Sequence, residues 1–349
     1  MTISRARLIL LACASGLLYP LSFPAFDLGI LAWFALVPLH IAVEYLAPGR
    51  AFRIGWLSGT LAFTGSMFWV ITAMNVYGKV PFPIATLVML LLTVYLGLYM
   101  AIYAGGLSWI RTAFPTLGFL PAPFLWVTLE LIRTYFLSGL PWALFGYSQY
   151  QWIPIIQLAD HFGVYGVSFL LVLVNAAIAE TIIWSLKAYR GFQIRSFPWP
   201  SSVAAAAGFG VALFYGTTLL SAAQHTPART LSVGVVQPNV EQAQKWDVAF
   251  RQETMARYDR LTAGLGDNLD LIVWPEAATP FVFEMEPQYR AIVQDMARRA
   301  GAPLLFGSPA LRRHPDGRPF LLNSAYLLAT DGQILGRYDK QHLVPFGEY

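Results

Sequence analysis

Long apolar stretches separated by short polar joints fill the first 224 residues, and the pattern then changes. Seven stretches approach the roughly 20 mostly apolar residues that a membrane span needs: 7–24, 28–46, 55–74, 83–110, 118–136, 163–186 and 202–221. The first is short and ends at Pro20 and Pro24. The fourth is long and carries Gly105 and Gly106 near its end. From residue 225 onward the apolar positions come in shorter runs. Strands are predicted at 231–237, 269–274, 303–308, 320–329 and 333–338, and helices at 247–265 and 287–300, the latter stopped by Gly301. Pro315-Asp-Gly-Arg318 and Asp331-Gly332 read as turns. The run 269–274 is almost continuously apolar, as in a strand covered on both faces. Alternating strands and helices point to an α/β sheet with helices packed on it.

Composition sharpens this division. The chain is 56% hydrophobic and 12% charged, against roughly 45–50% and 25% for a soluble globular protein. The mean hydropathy is +0.53. Residues 1–224 hold 10 Lys/Arg and 5 Asp/Glu, whereas residues 225–349 hold 13 and 14. The expected organisation is a multi-span transmembrane domain at 1–224, a helical bundle of about seven transmembrane helices, followed by an α/β domain at 225–349. The basic pI comes from the first part. The second part keeps no basic surplus, so nucleic acid is not an expected partner. With the N-terminus inside, the inner loops carry Arg5, Arg7, Arg50, Arg53, Arg111, Lys187, Arg190 and Arg195, and the outer loops only Lys79 and Arg133. Eight against two favours this orientation. An odd number of spans then puts residues from about 225 on the outer, extracytoplasmic side.

Two features of the front part are ambiguous on sequence alone. Leu10-Leu11-Ala12-Cys13 imitates a lipoprotein cleavage box, but only five residues separate Arg7 from Cys13, short of the 7–15 of a signal-peptide core. A transmembrane helix is the better reading. The segment 137–162 is aromatic and apolar yet broken by Gly and Pro, as expected at a membrane interface. Glu130 and Arg133, three apart on the helix before it, can pair structurally or touch a lipid headgroup; the structural role is favoured.

The soluble part contains three candidate pieces of chemistry. Trp274-Pro275-Glu276 follows a strand, and Pro275, lacking an N–H, ends the pairing and turns Glu276 out of the sheet. A carboxylate held there, partly desolvated, can act as a general base. Lys340 follows the last strand in the same manner, and a fixed ammonium can stabilise a developing oxyanion. Eight residues later Glu348 can hold that ammonium. His342 is a weaker candidate base. Cys13 is the single cysteine, which excludes an internal disulfide, and no metal-ligand cluster stands out. No cofactor is expected.

Together these pieces resemble the carbon–nitrogen hydrolase (nitrilase) superfamily. With His342–Tyr349, the apolar front and Pro141-Trp142-Ala-Leu-Phe-Gly-Tyr-Ser-Gln149, nearly the whole chain resembles the apolipoprotein N-acyltransferase family. The resemblance implies that the soluble part is the N-terminal part of a nitrilase-like αββα sandwich. It implies a phospholipid-dependent enzyme of the bacterial inner membrane, with its C-terminal domain on the periplasmic side. Such an enzyme acylates the α-amino group of the S-diacylglyceryl-cysteine at the N-terminus of apolipoproteins, via a thioester. Its implied partners are a phospholipid acyl donor and the apolipoprotein acceptor. The match implies Glu276 as base, Lys340 as oxyanion stabiliser, Glu348 as supporting carboxylate and Trp246, in Lys245-Trp246-Asp247, as a lipid contact. The family's nucleophilic cysteine is expected beyond Glu348. Cys13, in the first span, cannot replace it, so a chain ending at Tyr349 is expected to be inactive. The alternatives are a membrane-anchored amidase or nitrilase acting on a small substrate, and a non-catalytic scaffold or transporter.

Overall fold

A computed structural model describes residues 3–24, 26–192, 196–225, 230–241 and 244–343. The chain falls into two compact units, Met1–Thr226 and Pro227–Tyr349.

The first unit is helical: α1 (Arg5–Leu21), α2 (Val37–Glu44), α3 (Pro48–Met67), α4 (Trp69–Thr72), α5 (Phe82–Ala113), α6 (Ala122–Tyr135), α7 (Ile153–Ile156), α8 (Ala159–Tyr189) and α9 (Trp199–His225). Among the described residues α5, α8 and α9 are long and apolar enough to cross a membrane. A fourth crossing arises if α3 and the bent continuation Trp69–Tyr77 count as one. This is fewer than the seven spans expected, and each shortfall has a local cause. α1 has 17 residues, only about 26 Å at 1.5 Å per residue. The second apolar stretch breaks into a 3-10 turn, Gly29–Trp33, and α2, which starts with Pro38 in its first turn, because Pro38 has no N–H to continue the earlier turn. α6 has 14 residues and gives way to positive-φ backbone at Leu137 and Gly139. Leu87 and Leu91 on α5, and Val211 and Phe214 on α9, are exposed. Apolar helix surfaces of this kind are suited to lipid.

Broken helices leave backbone groups without partners, and buried side chains supply them. Asn175 on α8 accepts from Leu36 N–H at 2.8 Å and donates to Ala32 C=O at 2.8 Å. Ser15 on α1 accepts from Leu39 N–H. Gln149 bridges the Trp33 indole and Gly29 C=O. Glu130 and Arg133 do the same for the interfacial segment. Both are buried, at 4% and 3% exposure. Glu130 accepts from Phe145 N–H at 2.7 Å. Arg133 donates to the carbonyls of Trp142 and Ala143, and Tyr19 donates to the latter as well. Their burial supports the structural role over a headgroup contact.

Helices α3 and α5 approach closely through small residues. A Cβ on Gly55 would lie 2.6 Å from Ala104 Cβ, and one on Gly59 would lie 2.8 Å from Gly97 O. Without a hydrophobic driving force between helices in lipid, this backbone proximity is what dispersion packing requires.

The second unit is a five-stranded mixed sheet in the order β1 (Val233–Val235), β2 (Leu271–Val273), β3 (Leu304–Arg313), β4 (Pro319–Leu328), β5 (Ile334–Asp339). β1, β2 and β3 are parallel, and β4 and β5 antiparallel. Helices α10 (Arg251–Ala263) and α11 (Pro287–Ala300) supply Met255, Tyr258, Val293 and Met296 to a core with Ile272, Trp274, Phe306 and Tyr326. The described residues form one sheet rather than the two layers of a sandwich. Gly301 ends α11 in the left-handed conformation, where a side chain is disfavoured.

Replacing Arg133 tests the buried network. Arg133→Met leaves the Trp142 carbonyl without its donor and Glu130 without its neighbouring charge. It should cost about 3 kcal/mol or more, the order seen when one member of a buried charged network is removed. The loss would appear as a lowered thermal midpoint in detergent; an unchanged midpoint would show that the segment holds its shape without Arg133.

Candidate active site

The site grows from the end of β2. Trp274 N–H still pairs with Leu305 C=O at 2.8 Å. Pro275 then cannot donate, and the ladder changes direction. Gly307 N–H donates back to Pro275 C=O, and Ala278 N–H donates to Gly307 C=O. Between these anchors Ala277 takes φ 49°, a strained value for a residue with a side chain. The loop can lie against β3 because position 307 is glycine: a Cβ there would be 2.4 Å from Ala277 N and 2.8 Å from Glu276 Cα. Thr279 and Ser308 hydroxyls, 2.6 Å apart and buried, close the far side of the turn.

The carboxylate so presented meets two donors. Lys340 Nζ lies 3.2 Å from Glu276 Oε1. Asn323 Nδ2 donates to the same oxygen at 2.5 Å. Register explains the convergence: Lys340 N–H donates to Asn323 C=O, so the first residue past β5 sits beside the middle of β4. Lys245 Nζ reaches the Glu276 carbonyl at 3.3 Å. Burial lowers the pKa of Lys245, and the Glu276 charge opposes that shift. Glu276 itself has a side chain 65% exposed and Lys340 33%. Hydrogen bonding, not the partial desolvation expected from sequence, is therefore what holds Glu276. A half-exposed ion pair adds only about 0–1 kcal/mol to stability, so this pair contributes little to the fold.

The remaining sequence candidates are less tightly placed. Trp246 is about half exposed, next to Lys245 in the same turn. His342 is exposed. Glu348 lies outside the described residues. Cys13 is a free cysteine on α1, in the helical unit. No group of three or more His, Cys, Asp or Glu that could hold a metal occurs among the described residues.

Comparison with known proteins accounts for both units. Residues 15–177 match the model of the apolipoprotein N-acyltransferase N-terminal domain, and residues 232–349 match that of the carbon-nitrogen hydrolases. An apolipoprotein N-acyltransferase of Geobacter metallireducens is 38% identical over 97% of this chain. Those of Azotobacter vinelandii and Pseudomonas aeruginosa are 34% and 32% identical over the same share. Both parts of the chain are thus similar to apolipoprotein N-acyltransferases. The chain spans 64% of the length of each of these relatives. A solved carbon-nitrogen hydrolase from Helicobacter pylori G27 aligns at a TM-score of 0.27 and 21% identity, covering 34% of this chain and 42% of that one. That likeness is too slight to support an argument.

Two residues of the site, Asn323 and Gly307, are absent from the sequence reading. Asn323 had a signal: asparagine is depleted in strands, yet it interrupts the apolar run of β4. Gly307 had none, because its necessity depends on a loop 30 residues earlier in the chain. Asp339, next to Lys340, anchors the end of β5. It accepts from Ser324 Oγ at 2.7 Å and Arg337 Nε at 2.6 Å. Burial opposes its ionised form, but the bonds from Arg337 and Ser324 outweigh it and hold the carboxyl below its ordinary 3.8.

Two outcomes are expected. Gly307→Val should cost about 1–3 kcal/mol through overpacking and displace Glu276, read as a lower thermal midpoint and altered contacts in a crystal structure. Asp339→Asn should destabilise the protein at pH 7. A carboxyl whose pKa is depressed on folding stabilises above its unfolded value near 3.8 and loses that contribution as pH falls through the folded value. The gap between mutant and parent midpoints should therefore shrink toward pH 3; a gap independent of pH would show that the ionised carboxylate is not what matters.

Proposed function

We propose that the protein transfers an acyl chain from a phospholipid to the α-amino group of an S-diacylglyceryl-cysteine at the N-terminus of an apolipoprotein. The observation that carries this reading is the meeting of Lys340 and Asn323 on one oxygen of Glu276 at the strand ends of a carbon–nitrogen hydrolase domain. Glu276 is the general base and Lys340 the oxyanion stabiliser. Glu348 is the carboxylate that supports Lys340, and Trp246 is a lipid contact. The nucleophile is the cysteine that the family resemblance implies.

The chemistry follows in two steps. Glu276 takes the thiol proton, and the thiolate attacks the ester carbonyl of the phospholipid. The Lys340 ammonium stabilises the tetrahedral oxyanion. The C–O bond breaks, Glu276 returns the proton to the leaving alkoxide, and a lysophospholipid departs from a thioester. The lipoprotein amine then attacks the thioester, Glu276 accepts its proton, and the C–S bond breaks to leave an amide. The thiolate takes the proton back. Asn323 keeps the Glu276 carboxylate aimed throughout, a task for which a neutral donor is well suited because it does not compete for the proton.

The same reading includes seven membrane crossings. α1, the 29–44 stretch and α6 then serve as short crossings that other helices shield, and the soluble unit lies on the periplasmic side of a bacterial inner membrane. The eight-to-two distribution of basic residues supports this orientation. An Asp316→Cys variant should react with a membrane-impermeant thiol reagent in intact spheroplasts. Labelling confined to broken cells would reverse the topology.

The activity itself is tested with phospholipid and a diacylglyceryl-cysteine peptide, using the protein that carries this sequence. N-acylated peptide should form, and Glu276→Gln should lower its rate by about 10²–10⁴-fold, the usual contribution of a general base. Hydrolysis of small amides without lipid transfer would favour an amidase instead. Full activity in Glu276→Gln would remove Glu276 from the mechanism.

A further inference from the structure

The helical unit contains a second group of charges, at one end of the bundle, that shares no residue with the Glu276 site. It lines an open cavity of about 610 Å³, within the range of about 300–1,000 Å³ typical of ligand pockets. Four ionised side chains enter its wall: Glu44 from the end of α2, Arg111 from the last turn of α5, and Glu180 and Lys187 from α8. Their side chains are between 11% and 35% exposed. Arg111 and Lys187 both pair with Glu44, the latter at 2.6 Å. Glu180 accepts from Phe119 N–H at 2.6 Å and from the Ser201 hydroxyl. The Arg111 guanidinium stacks over the Phe119 ring at 3.7 Å. Among the described residues its Nη1 is buried without a hydrogen-bond acceptor, and it lies 3.8 Å from Glu180 Oε1.

Two properties of this cavity are unusual for a purely structural ion-pair cluster. A cluster that only ties helices together is stabilised by close packing, because burying charges costs several kcal/mol per ion unless every group is satisfied. Here the charges border open volume, and one guanidinium nitrogen remains unsatisfied. The second property is the mixture in the wall. The positive and negative groups balance, and beside them lie Leu46, Leu117, Ile183, Trp184 and Phe197. A simple anion would meet Glu44 and Glu180 as well as Arg111 and Lys187, and a simple cation would meet the reverse. A zwitterion with an apolar extension satisfies both signs without adding net charge. The rim also has the composition of a headgroup layer. Trp109, Phe114, Tyr189 and Trp199 are exposed around this end of α5, α8 and α9, and aromatic belts of this kind mark the membrane interface.

We propose that this cavity binds the headgroup of a zwitterionic phospholipid carrying a primary ammonium. Its phosphate sits against Arg111 and Lys187, its ammonium against Glu180 and Glu44, and its acyl chains leave past Ile183, Trp184 and Phe197. A primary ammonium is specified because three N–H donors can reach carboxylates directly. The ligand holds the ends of α2, α5, α8 and α9 together and is not consumed. The assignment does not rest on the acyl-transfer reading, since binding is measured without turnover.

The test is native mass spectrometry of the full chain in detergent, titrated separately with dioctanoyl-phosphatidylethanolamine, dioctanoyl-phosphatidylglycerol and free phosphoethanolamine. The ethanolamine lipid should bind at least about tenfold more tightly than the glycerol lipid, as loss of one charge-assisted hydrogen bond implies. Free phosphoethanolamine should also be at least tenfold weaker. Glu180→Gln keeps an acceptor for Phe119 N–H but loses the charge, and should weaken the ethanolamine lipid about tenfold while leaving the glycerol lipid unchanged. Thr116→Trp, at an exposed position of the wall, fills the cavity without touching the ion pairs and should weaken both lipids. Equal affinity for the two lipids would overturn the zwitterion. Phosphoethanolamine binding as tightly as its lipid would overturn the lipid source. Unchanged lipid binding in Thr116→Trp would overturn the cavity as the site.

Discussion

A backbone polar group in apolar surroundings must find a partner, and the helical unit is arranged around that requirement. Helices satisfy their own interiors, so the constraint acts where they break. The breaks at 29–38 and 136–152 are both apolar in sequence and both buried in part, yet neither is regular helix. They persist because Asn175, Gln149, Ser15, Glu130 and Arg133 supply the missing donors and acceptors from neighbouring helices. The polar residues of this unit are few, and many of those deeply buried serve backbone, whereas His40 pairs with the Tyr103 hydroxyl. The charges of Glu44, Arg111, Glu180 and Lys187 border open space instead.

The sheet unit obeys the same rule with a different outcome. Pro275 withdraws one donor from the β2–β3 ladder, and the backbone answers with a turn that returns its remaining groups to Gly307. That turn, rather than strand alternation, carries Glu276 away from the core that Trp274, two positions earlier, occupies. Glu276 is therefore delivered to the strand ends, where β4 and β5 bring Asn323 and Lys340. Three segments far apart in sequence meet there through strand register and the turn after Pro275. The interaction they form is half exposed and contributes little to folding, while the core of Phe283, Phe306 and Tyr326 beneath it is fully buried. Folding stability is thus carried by the buried core and not by this polar group.

Much of this was legible in the chain. Hydrophobic periodicity marked the helical front and the α/β back, and α11 matches its predicted bounds because Pro287 and Gly301 are strong local punctuation. Turn chemistry at Asp331-Gly332 located the β4–β5 hairpin. Glu276 and Lys340 were identifiable because each follows a strand, a property readable from local sequence. The number of full-length crossings was not. Hydropathy counts apolar residues but is indifferent to whether Pro38 breaks a helix, or whether Asn175, 137 positions further along the chain, is there to tolerate the break.

The amino-acid sequence by itself therefore determined which segments are apolar, which residue types end each element, and that Glu276 is a candidate base and Lys340 a candidate oxyanion stabiliser. These depend on neighbours within a few positions. The tertiary structure alone decided that Asn323 joins the pair, that position 307 has no room for a side chain, that Glu130 and Arg133 turn toward backbone, and that four charges border a cavity. Each of these depends on the distance between atoms brought together by strand register or helix packing, and that distance is not encoded in any local stretch of chain.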